Sequence, residues 1–236
     1  MPKSKVSAII VAAGDSQRMN GVDKLFAPLG GQPVLSRVLD VFQNCKKVDQ
    51  IMLVMSARNI EEARRLIALG HWDKIRDVGV GGKRRQDSVA EGLKLVKESD
   101  WIIIHDGARP LVTADLIERG LDAAKETGAA VAAVPVTDTI KLAGEHGIVR
   151  QTLPRENLMA VQTPQVFRFD IIKNTYKFVP GADATDDATL VEKAGYKVKL
   201  FTGAYDNIKI TTPTDLAVIN VLWGKYEQPD AHRNRL

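Results

Sequence analysis

The chain has 236 residues, 44% of them hydrophobic, and 33 Lys and Arg against 29 Asp and Glu give a net charge of +4. That length can bury a proper core and fits one large α/β domain, while so mild and dispersed a charge suits an anionic small molecule and argues against nucleic acid. No apolar run approaches the roughly 18 residues of a membrane span, and the opening MPKSKVSAII lacks a signal-peptide pattern, so a cytoplasmic protein with no membrane partner is expected. The one cysteine, Cys45, excludes an internal disulfide, argues against a zinc cluster and reads as a small buried or half-buried hydrophobe.

Val6 to Ala12 is nearly all apolar and rich in β-branched residues, which predicts a strand buried on both faces. The hydrophobicity stops at Ala13-Gly14, and a small, polar run leads to Arg18 and then Lys24. Backbone N–H groups after such a strand can cradle an anion, with the two cations reaching round it. Two readings fit, a nucleotide triphosphate site or an ordinary strand-to-helix connection with solvated cations. There is no G-x-x-x-x-G-K-[ST], and Ser16 and Met19 occupy the places of the second and third glycines of G-x-G-x-x-G.

Further on, Gln32-Pro33 starts a helix with Val34, Leu35, Val38, Leu39 and Phe42 on its apolar side. Ile51 to Met55 is a strand, Asn59 caps a helix, and Ile75 to Val80 is a strand ending in Gly81-Gly82. Arg84 to Val96 reads as a helix whose first charges, with Lys83, form a run of which at least two are solvated. The strand Trp101 to Ile104 ends in His105-Asp106-Gly107-Ala108-Arg109-Pro110, Thr113 opens a helix, and Ala129 to Val136 is another buried strand. This order predicts a Rossmann-like α/β fold, a mostly parallel sheet with helices on both faces, in which the loops at Gly14, Gly82 and Asp106 converge on one crevice.

The pattern then breaks. Thr139 to Leu142 and Ile148 to Leu153 read as a β-hairpin, which is marginal alone and must rest on its own domain or on another subunit. The second case predicts a homodimer with residues 137–158 as a protruding arm. Leu158 to Gln162 brings the chain back. Phe169 to Phe178 is a helix, Thr185 to Ala188 caps another through Ala194, and Lys197 to Phe201 and Asn207 to Ile210 are strands. Thr212-Pro213 starts a last helix, and the polar tail Pro229 to Leu236 is expected to fray. With no repeat or linker, residues 1–236 read as a single domain.

Ala13 to Met19 followed by Lys24 resembles the signature loop of the sugar-nucleotide type nucleotidyltransferases, A-G-x-x-x-R-M and a lysine. It departs from many of those loops at Ser16, often glycine, and Asp23, often proline. Read with GGKRRQDSV (Gly81 to Val89), HDGARP (His105 to Pro110), Asp138-Thr139, Arg155, TPQ (Thr163 to Gln165), Thr185-Asp186 and DNIKIT (Asp206 to Thr211), in that order, the chain resembles the 2-C-methyl-D-erythritol 4-phosphate cytidylyltransferase family from about Val6 to Leu222.

The resemblance implies attack by a phosphate oxygen of methylerythritol phosphate on the α-phosphorus of CTP, with Mg²⁺ as cofactor and pyrophosphate leaving. It places Ala12, Ala13, Gly14, Arg18, Lys24, Gly82, Lys83 (by its backbone), Ser88 and Asp106 at the nucleotide. Asp106, Gly107 (through its N–H), Arg109, Thr185 and Lys209 fall at the polyol phosphate, with Thr139 and Arg155 supplied by a partner's arm. Arg18, Lys24, Arg155 and Lys209 are the expected catalytic cations, and Asp106 is a candidate metal contact alongside the CTP phosphates. Ser88 could equally be a helix-surface serine, Asp106 a cap for Arg109, Lys209 an outward strand lysine, and His105 reads as a packed, hydrogen-bonded histidine. Other readings are a cytidylyltransferase for ribitol 5-phosphate or a non-catalytic nucleotide-binding module; the missing glycines disfavour a nicotinamide-dependent oxidoreductase.

Overall fold

The computed structural model describes residues 4–14, 19, 23–178 and 184–226, so Ser16, Arg18 and the Pro229–Leu236 tail lie outside the described residues. In chain order the elements are β1 (Val6–Ala12), the two-residue strands β2 (Pro28–Leu29) and β3 (Gln32–Pro33), α1 (Val34–Asn44), β4 (Gln50–Met55), α2 (Ile60–Leu69), β5 (Ile75–Val80), α3 (Arg85–Leu95) and β6 (Trp101–Asp106). There follow α4 (Ala114–Thr127), β7 (Ala129–Pro135), the hairpin β8 (Lys141–Ala143) and β9 (Val149–Thr152), β10 (Met159–Arg168), α5 (Phe169–Phe178), α6 (Asp187–Lys193), β11 (Lys199–Thr202) and α7 (Pro213–Tyr226).

Among the described residues, seven strands form the central sheet in the order β11-β7-β10-β6-β1-β4-β5. Of these, only β10 runs antiparallel to its neighbours, β6 and β7. The position of β1 follows from its sequence. Every residue of it is buried, and successive side chains enter opposite layers. Ile9 and Val11 join Val89 and Leu93 of α3 on one side. Ala8, Ile10 and Ala12 join Leu35, Val38, Leu39 and Phe42 of α1 on the other. Burying each large aliphatic side chain contributes roughly 1.5–3 kcal/mol, and a continuous apolar strand gains on both faces.

Helix α4 begins as its sequence requires, with the Thr113 hydroxyl accepting from the Leu116 N–H at 3.1 Å, a cap worth about 1 kcal/mol. Asn59 precedes α2 but makes no side-chain cap; its amide donates instead to the Asp23 carboxylate. Strand β6 runs two residues beyond the expected Ile104, so Asp106 rather than His105 is its last residue and the two side chains face opposite sides of the sheet. The segment Asn207–Ile210 is not a strand. Its backbone is committed elsewhere: the Ile210 N–H donates to Ala108 O at 2.9 Å, and the Arg109 guanidinium donates to Asn207 O at 2.7 Å.

The hairpin forms as expected. Strands β8 and β9 pair only with each other among the described residues, and every residue from 141 to 152 is exposed.

Candidate active site

The carboxyl ends of β1, β4, β5 and β6 open onto a cavity of about 410 Å³. Of the residues expected at the nucleotide, Ala12, Ala13, Gly14, Lys24, Gly82, Lys83, Ser88 and Asp106 all line it; Arg18 lies outside the described residues. The floor depends on small residues. A Cβ on Gly81 would sit 2.6 Å from the Ser88 hydroxyl and collide with Ala13 as well, so the β5–α3 loop can approach the β1 loop only as glycine. Ser88 is buried, with its hydroxyl donating to Arg84 O at 3.2 Å. It is therefore no helix-surface serine, and the loop it ties down is the one that turns its backbone into the cavity.

A second cavity of about 180 Å³ adjoins the first and is lined by Arg109, Thr163, Gln165 and Thr185 among others. Arg85, Asp106 and Lys209 line both, so these three side chains form the shared wall. Asp106 is its centre: one carboxylate oxygen accepts from Arg85 Nε at 2.9 Å, and the other meets Lys209 Nζ at 2.8 Å and Arg109 Nε at 3.7 Å. Burial alone would raise the Asp106 pKa, but Arg85, Lys209 and Arg109 together hold it far below the usual carboxylate range. Lys209, read as pointing to either solvent or an anion, points to this carboxylate.

The third cation of the run at 83–85 is not solvated. Arg85 places Nη1 2.6 Å from Asp187, a carboxylate with no exposed side-chain area. With Arg109 and Lys209, three cations meet the carboxylates of Asp106 and Asp187, while a third carboxylate on the smaller cavity, Asp186, accepts from Gln165 and from the Thr189 N–H. Two guanidinium nitrogens, Arg85 Nη2 and Arg109 Nε, are buried without a hydrogen-bond acceptor among the described residues. The partly exposed side chains of Lys209, Arg85 and Arg109 offer donors of the kind that phosphate oxygens accept from.

Behind the wall, the TPQ segment is scaffolding. The Thr163 hydroxyl accepts from the Asp106 N–H at 3.1 Å and lies 3.1 Å from His105 Nδ1. His105 Nε2 faces Arg109 O at 3.2 Å; a carbonyl only accepts, which assigns the proton to Nε2 and makes Nδ1 the acceptor of the Thr163 O–H. His105 is thus the packed, hydrogen-bonded histidine expected. Gln165 donates to Asp186 at 2.8 Å and accepts from the Ala188 N–H at 3.2 Å, docking the start of α6. Asn207 donates to Thr163 O at 2.8 Å and fixes the segment that carries Lys209.

Three expected residues stand elsewhere. The Gly107 N–H was to serve the substrate, but it donates to Val11 O at 2.9 Å and Gly107 lines neither cavity. A Cβ at this position would stand in tight contact with Ala12, at 3.1 Å. Thr139 and Arg155 lie on the arm, both exposed, and line neither cavity; Arg155 donates to Thr137 O at 2.6 Å. Conversely, Arg85, Asp187, Thr163, Gln165 and Asn207 carried no sequence signal for a place at this wall. Asp187 reads as one more acidic residue in a first helical turn, and TPQ entered only as a motif.

A mostly parallel α/β sheet whose strand ends gather a small-residue loop, a lysine and a cationic wall around two joined cavities defines a nucleotidyltransferase-like protein. Within that class the chain belongs to the 2-C-methyl-D-erythritol 4-phosphate cytidylyltransferase (IspD) family, whose model matches residues 6–224. Two proteins of that name from Dehalococcoides mccartyi strains are 52% and 54% identical over 221 residues, covering 94% of this chain and 97% of theirs. Among solved structures, 4-diphosphocytidyl-2C-methyl-D-erythritol synthase from Anaerococcus prevotii superposes with a TM-score of 0.83 at 31% identity, covering 94% of this chain and 99% of that one. The cytidylyltransferase from Thermus thermophilus gives 0.75 at 31% identity, covering 93% and 99%.

Proposed function

We infer that the chain is the enzyme its family indicates, transferring the cytidylyl group of CTP to 2-C-methyl-D-erythritol 4-phosphate in isoprenoid biosynthesis. The observation that supports the reading is the wall of Asp106, Arg85 and Lys209 shared by two adjoining cavities, of which the larger is assigned to the nucleotide and the smaller to the phosphorylated polyol. A phosphate oxygen of the polyol forms a bond to the α-phosphorus, the bond from that phosphorus to the bridging oxygen breaks, and pyrophosphate departs with the electron pair. Negative charge builds on the α-phosphoryl oxygens and the leaving group, so positioning and electrostatic stabilisation carry most of the catalysis.

In this reading Lys24, with Arg18, grips the triphosphate; Gly82 and Ser88 set the backbone edge that selects cytosine; and Lys209, Arg109 and Thr185 hold the polyol phosphate. Among the described residues no three His, Cys, Asp or Glu side chains cluster as metal ligands. Among those same residues Asp106 is the one carboxylate lining the larger cavity, which fits Mg²⁺, an ion that takes most of its ligands from phosphates and water. When bound, Mg²⁺ supplies neutralisation of the triphosphate charge.

The arm supports a homodimer. Leu142, Ile148 and Val149 on it are 42%, 69% and 55% exposed, more apolar surface than an isolated hairpin sustains. A partner's arm would bring Thr139 and Arg155 to the polyol side, where this chain's own do not reach. No helix among the described residues is long and apolar enough to cross a membrane, and a cytoplasmic location is part of this reading.

The test is pyrophosphate release with Mg²⁺ and CTP, offered methylerythritol 4-phosphate or ribitol 5-phosphate, with ATP, GTP and UTP as controls. Release only with CTP and methylerythritol phosphate is expected. Preference for ribitol phosphate would keep the nucleotide site and overturn the polyol assignment; binding of CTP without turnover would make the chain a non-catalytic module.

A further inference from the structure

Lys24 lines the larger cavity from a tight turn that is held on both sides. On the C-terminal side Leu25 is buried. Its carbonyl accepts from the Leu35 N–H at 2.9 Å, and the Ala27 carbonyl accepts from the Val34 N–H at 3.0 Å, so the turn is pinned to the start of α1. On the N-terminal side stands Asp23. Its carbonyl accepts from the Phe26 and Ala27 N–H groups at 3.2 and 3.0 Å, and one carboxylate oxygen accepts from the Leu25 N–H at 3.0 Å. An aspartate that bonds the N–H two residues on closes a turn with its side chain.

The other carboxylate oxygen reaches across to the β4–α2 loop, where it accepts from the side-chain amide of Asn59 and lies 3.3 Å from Arg58 Nη2. Ser56 and Ala57 of that loop line the same cavity as Lys24. Of the two partners Asn59 is buried, whereas the Arg58 side chain is 68% exposed, and a pair so open to solvent contributes little. Asn59 also occupies a position at which asparagine ordinarily caps a helix, yet it gives α2 no side-chain cap. Its amide is committed to Asp23.

We propose that Asp23 and Asn59 are positioning residues for Lys24: their hydrogen bond clasps the turn to the β4–α2 loop and fixes the backbone from which the lysine side chain enters the cavity. The proposal rests on the reading of function above, in which Lys24 grips the triphosphate. A group that stabilises developing charge acts only from a defined place, and a displacement of about 1 Å can cost roughly a hundredfold in rate. With the clasp open, the turn keeps its anchor at Leu25 and loses the one at Asp23.

Steady-state pyrophosphate release from CTP and methylerythritol 4-phosphate tests this. Asn59→Asp keeps a residue suited to the start of a helix but sets a second carboxylate against Asp23. Its kcat is expected to fall roughly ten- to a hundredfold, with KM for methylerythritol phosphate within about twofold of wild type. Combining Asp23→Asn with Asn59→Asp exchanges donor and acceptor: the amide at 23 can donate to the carboxylate at 59 while its own oxygen still accepts from the Leu25 N–H. This exchange should return kcat to within about threefold of wild type. In a Lys24→Ala background, Asn59→Asp should lower kcat less than about twofold further, because losses that act through one group do not add. Asn59→Ala removes the donor without removing a cap, and its expected loss of kcat is the same, which keeps the test open should Asn59→Asp fail to fold. Unchanged kcat in the folded Asn59 variants, no recovery in the folded exchange, or an undiminished further loss in the Lys24→Ala background overturns the clasp alone, since turnover by the wild type leaves the assigned function standing. Absence of pyrophosphate release from the wild type overturns both.

Discussion

The two cavities share a wall but are built differently. The larger one is assembled from short stretches at the ends of neighbouring parallel strands, and much of its lining is backbone and small side chains: Ala12 to Gly14, Gly81, Gly82 and Ser88. The smaller one is assembled from side chains far apart in sequence, Arg85, Arg109, Gln165, Thr185 and Lys209, brought together by the antiparallel β10 and by the segment through Asn207. A surface of backbone donors is specified locally, by where a strand stops and where glycine permits approach. A charged pocket is specified by tertiary placement, and in the proposed dimer it is completed only by another chain.

The sharpest way to break this contrast is to remove the lysine of the locally built cavity. Lys24→Ala is expected to cut kcat by roughly a hundred- to a thousandfold, the range for losing one donor to developing charge, with the thermal transition unchanged. Steady-state pyrophosphate release decides it, and turnover within about threefold of wild type would remove Lys24 from the chemistry.

Arg155→Ala addresses the other cavity. In one chain this arginine is exposed and bonds only Thr137 O among the described residues, so a monomer would hardly register its loss. If the partner's arm completes the site, kcat/KM for the polyol phosphate should fall roughly ten- to a hundredfold, the worth of one charged hydrogen bond, with KM for CTP unchanged. Mixed dimers of Arg155→Ala and Lys24→Ala subunits each regain one intact site. Failure of mixing to restore activity would confine both cavities to a single chain.

That same division governs what the sequence made legible. The strand-loop-helix order to Ala129 could be read because periodicity and glycine punctuation are local, and so could the convergence of the Gly14, Gly82 and Asp106 loops on one crevice. Arg85 belonged to a run of three charges of which at least two read as solvated, and the pattern did not single it out; what pairs it in the interior is Asp187, 102 residues away, a partner no local pattern reveals. Gly107 was read for its N–H when the donor is spent on Val11, because β6 runs on to Asp106. Asn207–Ile210 has the composition of a strand, yet the Asn207 carbonyl and the Ile210 N–H bond the loop after β6, and the Asn207 and Ile208 N–H groups turn back on Ala204 and Asp206. In each case a long-range hydrogen bond overrode a sound local preference.

Gly81→Ala sharpens the comparison from the backbone side. The added methyl meets the Ser88 hydroxyl at 2.6 Å and Ala13, and relief requires the β5–α3 loop to back away from the β1 loop. Overpacking of this kind costs about 1–3 kcal/mol. KM for CTP should rise several-fold, while affinity for methylerythritol phosphate alone stays within about twofold, because Gly81 does not line the smaller cavity. Equal losses for both substrates would mean that the loop serves both cavities.

The smallest effect comes from behind the wall. His105 is fully buried against Phe42, with ring centroids 5.2 Å apart, and burial pushes its pKa down to about 4 from 6.5 although Asp106 works in the opposite direction. Between those two values the unfolded chain binds a proton that the native chain refuses, so stability is complete above about pH 6.5 and declines as pH falls toward 4. At 1.36 kcal/mol per pH unit, going from pH 7 to 5.5 removes about 1 kcal/mol, or roughly 2–4 °C in Tm for a chain of this size. Asp106, whose pKa is depressed from 3.8, adds its own loss only below that window. His105→Gln keeps a polar side chain but cannot titrate, so whatever its Tm at pH 7, its Tm should depend less on pH between 4 and 6.5 than that of the wild type. Parallel Tm-against-pH curves would clear His105. A shallower curve with KM for both substrates unchanged at pH 7.5 would make this histidine a contributor to stability behind the wall and not a part of either cavity.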